Sequence, residues 1–298
     1  MKKLSTIVAG AAVGLLALTA CGQEGTPEVG GEGEGQAEAP EYTVAEDVDL
    51  SDSPTWEAAD SAGTLKVGVK MDQPGLGNTE PGSDAPEGFD IEIAKITAAA
   101  LGFAPDQIEW VETVSANREP FIQQGNVDLV VATYTINDER KEVVDFAGPY
   151  YVAGQDLLVA ADSDIAGPDD LAGSTVCSVD GSTPAQNITE EYPDAELVTY
   201  DTYSKCVTDL QSGSVDAVTT DDAILRGYAA QYEGEFTVAG EPFTEEPYGI
   251  GMPKDDQALR DAVNDALEAS MEDGTWTEAF EYTLGDASDV EQPQVDRY

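Results

Sequence analysis

Histidine is missing from this 298-residue chain. Its absence removes the side chain that most often moves protons near neutral pH, and with it any Ser-His-Asp or Cys-His set. Cysteine is scarce: Cys21, Cys177 and Cys206 are the only three, and they lack metal-ligand spacing. A zinc site is therefore not expected, nor is a cofactor. Cations are few, 13 Lys+Arg against 60 Asp+Glu, for a formal charge of −47. Nucleic-acid binding rests on Lys and Arg neutralising phosphates, so that class of partner is excluded. Beyond the N-terminus no apolar run reaches the roughly 18 residues of a membrane-spanning helix. The acidity itself reads as a solubility or salt-adaptation surface.

What is present starts with Lys2, Lys3 and an apolar stretch from Ile7 to Leu18, followed by Leu18-Thr19-Ala20-Cys21. This is the pattern of a signal peptide over residues 1–20. A cysteine after small residues resembles a bacterial lipobox, which implies acylation of Cys21 and a lipid anchor on the outer face of the cell membrane. An ordinary secretory signal with an incidental cysteine is the other reading. Residues 21–60 are rich in Gly, Glu, Ala and Pro and poor in large apolar side chains. Such a segment cannot bury enough surface to offset chain entropy, and a flexible acidic tether is expected. A loose acidic tail is expected over residues 286–298.

Between these ends the pattern is α/β. TLKVGVK alternates as a strand that places Lys70 at its carboxyl end, and GFDIEIAKITAAALGF reads as a helix closed by Gly102. QIEWVET, AELVTY and VDAVTTD read as strands, and SKCVTDLQSG and DAILRGYAAQY as helices. Strands alternating with helices over this length indicate two lobes, each a mostly parallel sheet flanked by helices. The first lobe is placed at 61–154 and 248–285, the second at 155–247. Two crossings, near Ala153–Gln155 and Glu246–Tyr248, would form a hinge.

The most informative stretch is Asn117–Tyr151. A helix is followed by a Gly125-Asn126 turn, the apolar run DLVVAT, two threonines and an arginine at a second helix. Open α/β sheets bind ligands beyond the carboxyl ends of their strands, which puts Thr133, Thr135 and Arg140 at a crevice. A guanidinium fork beside two hydroxyls suits a small carboxylate. Ser182 and Thr183 precede Pro184 at a predicted helix start, an N-cap that also offers backbone donors to an anion.

NR-x-P, QQG-x-x-D, T-x-T-x-x-x-x-R, DF-x-x-PYY and GFDIEIA together resemble the polar amino-acid-binding proteins of ABC importers, which have the type II periplasmic-binding-protein fold. KMDQPGLG, CSVDGSTPAQ, YDTYSKC, TTDDAILRGY and EPYGIGMPKDDQ are similar to the glutamate-binding lipoproteins of actinobacterial uptake systems. The resemblance runs in order over roughly residues 61–285. It implies a monomeric, non-enzymatic binding protein that captures an acidic or polar amino acid, with L-glutamate the expected ligand, and delivers it to a permease with its ATPase. Glutamine and aspartate are the alternatives.

Carried over position by position, the resemblance implies Arg140 and Thr135 for the α-carboxylate and Asp221 for the α-ammonium. It implies Arg118 and Lys70 for the side-chain carboxylate, with Thr133, Ser182 and Thr183 adding hydrogen bonds. Each has a plainer reading. Arg140 could pair with Glu142 or Asp138 at the surface, Arg118 could be an exposed helix residue beside Glu119, and Lys70 a solvated strand end. Asp221 could cap the next helix, and Ser182 and Thr183 could be no more than a cap. Cys177 and Cys206 make an even pair in an exported protein, so a disulfide is expected, two buried thiols being the alternative. A ligand-sensing module would need a membrane span and a signalling domain. A dehydratase on the same fold would need a placed acid or base.

Overall fold

The computed structural model describes residues 39–83, 85–288 and 290–298. The expected signal peptide, Cys21 and the expected tether up to residue 38 lie outside the described residues. The chain enters through α1 (Pro54–Ala62), β1 (Leu65–Val69), the short pair β2 (Asp72–Gln73) and β3 (Gly77–Asn78), and α2 (Phe89–Ala100). There follow β4 (Ile108–Glu112), α3 (Arg118–Gln123), β5 (Leu129–Val131), the single turn α4 (Asp138–Lys141) and β6 (Asp145–Ala153). Beyond Gly154 come β7 (Gln155–Ala160), β8 (Thr175–Val179), α5 (Thr183–Glu191), β9 (Glu196–Tyr200) and α6 (Tyr203–Ser212). Next are β10 (Ala217–Asp221), α7 (Asp222–Gln231) and β11 (Phe236–Val238). The chain then returns through β12 (Glu246–Met252), α8 (Gln257–Asp273) and α9 (Thr275–Thr283).

Two five-stranded sheets result, in the orders β4-β1-β5-β12-β6 and β11-β7-β10-β8-β9. In each, four strands run one way and one runs against them: β12 in the first sheet, β7 in the second. Both reversed strands are the ones that have just crossed from the other lobe. The apolar run of β5 is explained by its central place. Leu129 and Val131 enter the larger core with Val67, Val69 and Ile91, while Val130 packs on the opposite face with Ile122, Tyr134 and Phe146. The crossings lie side by side. Glu246 stands opposite Ala153 and Pro247 opposite Val152. The Gln155 N–H donates to Thr244 Oγ1 at 3.0 Å, and the Phe243 N–H to the Gln155 carbonyl at 2.9 Å.

The expected tether reached Asp60, but the chain is already packed well before that. Ser53 caps α1 by accepting from the Trp56 N–H, and Trp56 Nε1 donates to the Leu101 carbonyl at 2.9 Å. Further upstream the Tyr42 hydroxyl donates to Glu92 at 2.7 Å, and the Ala45 N–H to the Ala99 carbonyl at 2.9 Å. Tyr42, Leu50 and Trp56 supply the apolar surface that a tether lacks. The tail expected to be loose is also docked. The Asp296 N–H donates to the Gly148 carbonyl at 2.8 Å, Tyr298 Oη accepts from the Phe146 N–H at 2.9 Å, and Arg297 reaches Glu268 and Asp265. Val290 and Val295 pack against the main core, two apolar contacts easily overlooked in an acidic stretch.

Among the described residues no helix is long and apolar enough to cross a membrane. Cys177 of β8 and Cys206 of α6 are joined as a disulfide across 29 residues, tying a helix to its sheet. Closing a loop of that length restricts the unfolded chain by about 3–4 kcal/mol in the loop-entropy model. A Cys177→Ser/Cys206→Ser variant should therefore unfold at lower urea by about that free energy, read from equilibrium unfolding. An unchanged midpoint would contradict it.

Candidate functional site

The carboxyl ends of β1, β5, β8 and β10 face one another between the lobes. All eight residues expected at the site are brought there; seven are buried and Thr183 is half-buried. From the first lobe come Lys70 after β1, Thr133 and Thr135 after β5, Arg118 at the start of α3 and Arg140 in α4. The loop from Tyr134 to Ile136 is fastened to β12 by two backbone bonds: Ile136 N–H to the Pro247 carbonyl, and Gly249 N–H to the Tyr134 carbonyl. The second lobe contributes Ser182 and Thr183 at the start of α5 and Asp221 at the end of β10.

The two arginines are held by carbonyl oxygens rather than by the surface ion pairs of the plainer reading. Arg118 donates to the carbonyls of Ser115, Ala132, Thr133 and, across the cleft, Gly181 at 3.1 Å. Arg140 donates to the Thr135 carbonyl at 2.7 Å and to the same Gly181 carbonyl at 3.0 Å. Its Nε lies 3.2 Å from Glu119, not from Glu142 or Asp138. Both guanidiniums sit over the Tyr134 ring, 4.3 and 5.1 Å from its centroid. Burial, then repulsion from Arg118, lowers the Arg140 pKa to about 10. Gly181 must be glycine: its φ is +76°, and a Cβ would lie 2.7 Å from the Ala116 Cα of the facing lobe.

Lys70 is 4% exposed and donates to Ser115 Oγ at 2.7 Å. Burial, reinforced by Arg118, lowers its pKa to about 7, although Asp72 and Asp90 pull the other way. Thr133 adopts φ +43°, a strained value for a β-branched residue. It is fixed there by Asp90, which accepts the Thr133 N–H at 2.8 Å and the Tyr150 hydroxyl at 2.7 Å. The Thr133 hydroxyl meets Gln73 Oε1 at 3.2 Å, while Gln73 Nε2 is buried without a partner.

On the second lobe the Ser182 hydroxyl accepts from the Ala185 N–H and donates to the Val179 carbonyl, so it is engaged as a helix cap. Thr183 Oγ1 donates to Glu246 at 2.7 Å, which leaves it an acceptor toward anything else; Thr135 Oγ1 stands 3.3 Å away. Asp221 does not cap α7 through its side chain. One carboxyl oxygen accepts from the Tyr248 hydroxyl at 2.5 Å and the other is buried with no partner. Burial, then the nearby Glu246, raises its pKa to about 8.

Arg118, Thr133, Thr135, Thr183 and Asp221 enclose a cavity of about 10 Å³, room for about one water. A larger solute reaches these groups only when the lobes part. Outside Arg140 a cleft of about 760 Å³ opens, edged by Glu119, Glu139, Glu142 and Asp180. Sequence reasoning did not select Asp90, Ser115, Gln73, Tyr203 or Glu246. Asp90, Gln73, Tyr203 and Glu246 all lay inside the quoted motifs GFDIEIA, KMDQPGLG, YDTYSKC and EPYGIGMPKDDQ, but their contacts to the site arise only from the fold.

The Asp221 shift has a definite sign. Its carboxyl titrates near 3.8 ordinarily and near 8 here, so the folded protein keeps a proton that the unfolded chain releases. This contribution to stability is complete below about pH 4 and is lost as the pH rises toward 8. Ligand-free Asp221→Asn should lose less stability than the parent between pH 5 and 8 by urea unfolding. Parallel curves for the two proteins would refute the buried-proton assignment.

The model of the bacterial extracellular solute-binding proteins, family 3, matches residues 65–286. The glutamate-binding protein GluB of Corynebacterium glutamicum is 46% identical over 253 residues, covering 81% of this chain and 85% of that protein. The ABC transporter glutamine-binding protein GlnH of Bacillus subtilis is 37% identical over 281 residues, covering 94% and 96%. Among solved structures, the solute receptor for L-cysteine of Neisseria gonorrhoeae superposes with a TM-score of 0.74 at 30% identity, covering 80% of this chain and 97% of that one. With two facing α/β lobes, a buried polar cleft between them and a family match over most of its length, this chain belongs to the bacterial extracellular solute-binding proteins, family 3.

Proposed function

We propose that this protein captures L-glutamate by closing its two lobes and hands it to the permease of an ABC importer. The observation that carries the reading is the opposed chemistry of one cleft. Two guanidiniums and a lysine stand on one lobe, and a buried carboxyl oxygen without a partner stands on the other. An α-amino acid with an acidic side chain carries the complementary groups. Arg140, with Thr135, would take the α-carboxylate, and the ligand would replace the Gly181 carbonyl as its acceptor. Asp221, giving up the proton that it keeps while the cleft is empty, would take the α-ammonium, joined by Thr183 Oγ1 as a second acceptor. Lys70 and Arg118 would hold the side-chain carboxylate near Thr133, and Ser182 would act through the start of α5 rather than through its hydroxyl.

GluB at 46% identity supports glutamate; GlnH at 37% supports glutamine as the second reading. Lys70 bears on the choice. Near pH 7 it is poised between a charged form that suits a carboxylate and a neutral one that tolerates an amide. The proposal extends to a non-enzymatic monomer held outside the cell membrane by a lipid on Cys21, with a separate permease and ATPase as partners.

Calorimetric titration of the chain from Gly22 onward tests the reading, after unfolding and refolding to strip bound ligand. L-Glutamate should bind at micromolar Kd or tighter, with L-glutamine and L-aspartate weaker; silence with all three would end the proposal. Arg140→Ala should cost roughly 3–5 kcal/mol, about a hundredfold or more in Kd, because a buried carboxylate loses its partner. Lys70→Met should weaken glutamate much more than glutamine. Equal losses for the two would remove Lys70 from the side-chain subsite.

A further inference from the structure

Arg140 stands on α4, a helix of only four residues (Asp138–Lys141). One turn does not hold itself together, because nucleation costs more than a single hydrogen bond returns. Asn137 caps it in front by accepting the Arg140 N–H at 2.8 Å, and Lys254 Nζ donates to the Lys141 carbonyl behind at 2.7 Å. Beyond the contacts of Arg140 itself, further support comes from residues 290–298. The Tyr298 ring contacts two cations, with Lys141 Nζ 4.0 Å and the Arg260 guanidinium 4.4 Å from its centroid. Asp296 adds a contact to Lys141 at 3.8 Å.

A second route leads from the same tyrosine to the same arginine. Tyr298 Oη accepts the Phe146 N–H on the outer edge of β6, where the Asp296 N–H also meets the Gly148 carbonyl. The Phe146 ring packs edge-on against Tyr134, with centroids 4.7 Å apart. Tyr134 is the platform on which both Arg118 and Arg140 rest. Tyr298 thus braces the helix that carries Arg140 and also the strand that backs the ring beneath it.

We propose that Tyr298 is a positioning residue for ligand capture, holding α4 and β6 so that Arg140 keeps its aim into the cleft. The role rests on the assignment of Arg140 to the ligand carboxylate, but the brace itself can be measured without ligand. Tyr298→Ala and Tyr298→Phe would be made in the full chain. Amide hydrogen exchange over residues 138–146 would be followed without ligand, and Kd for L-glutamate and L-glutamine measured well below the melting temperature.

In Tyr298→Ala, exchange at residues 140–146 should quicken by roughly tenfold while β8 and β10 keep their rates. Loss of both cation–π contacts and of the edge acceptor should raise Kd by roughly tenfold. Tyr298→Phe keeps the ring and should recover most of the affinity. Exchange and Kd within twofold of the parent would overturn the proposal, as would a lowered melting temperature with local exchange and Kd unchanged. If the parent binds neither amino acid, the functional reading fails separately, and the exchange rates still decide whether the brace exists.

Discussion

Two buried guanidiniums converge on one carbonyl oxygen, that of Gly181, from across the cleft. A buried cation without partners is costly, so each must be surrounded by acceptors. Here those acceptors are mostly backbone carbonyls, which places strict demands on the loops. The segment after β5 has to present the carbonyls of Ala132, Thr133 and Thr135 inward, and Thr133 takes a positive φ to do so. Asp90 at the head of α2 holds that bend, so the motif GFDIEIA supports the arginines of α3 and α4. Gly181 has to bring its backbone against Ala116, a contact that excludes any side chain.

The double crossing explains the architecture on both sides of this contact. In each sheet the reversed strand is the first one reached after a crossing, β12 in one lobe and β7 in the other. Because β6 and β12 pair up to the crossing, a change in angle between the lobes has to be absorbed by a few residues around Gly154 and Glu245. Glu246 lies at that point and accepts from Thr183 of the second lobe and from Thr244 beside it. The hinge is thereby connected to the site by a side chain, not only by the backbone.

A chain with a formal charge of −47 that gathers three cations at its centre works against its own field. Distance resolves the conflict. At about 0.1 M salt, exposed charges are screened beyond about 10 Å, whereas groups in contact inside a low-dielectric cleft are not. The acids that edge the outer cleft, Glu139, Glu142 and Asp180, are therefore compatible with an anion bound deeper in. The same low dielectric moves the buried groups from their ordinary titration ranges. Lys70 is lowered toward 7 and Asp221 raised toward 8, each chiefly by burial.

By itself the sequence determined the two-lobe α/β class, because apolar strands alternate with helices and cross twice. It also placed Lys70, Thr133, Thr135 and Asp221 at strand ends and Ser182 and Thr183 at a helix start; with Arg140 after the central strand and Arg118, named by the family resemblance alone, these made eight candidates. Cys177 and Cys206 were legible as a pair, although their bonding needed β8 and α6 to pack together. Local pattern could not show the hydrogen-bond state of those eight residues. That Ser182 is engaged in its cap, that Thr183 is left an acceptor by Glu246, and that one oxygen of Asp221 is unpartnered depend on residues tens of positions away. Nor could composition reveal that residues 40–62 and 290–298 dock, since a few side chains such as Tyr42, Trp56, Val295 and Tyr298 outweigh the acidic character of their neighbours. Tertiary structure decides such matters because a side chain's charge and hydrogen bonds are set by what surrounds it once water has been excluded.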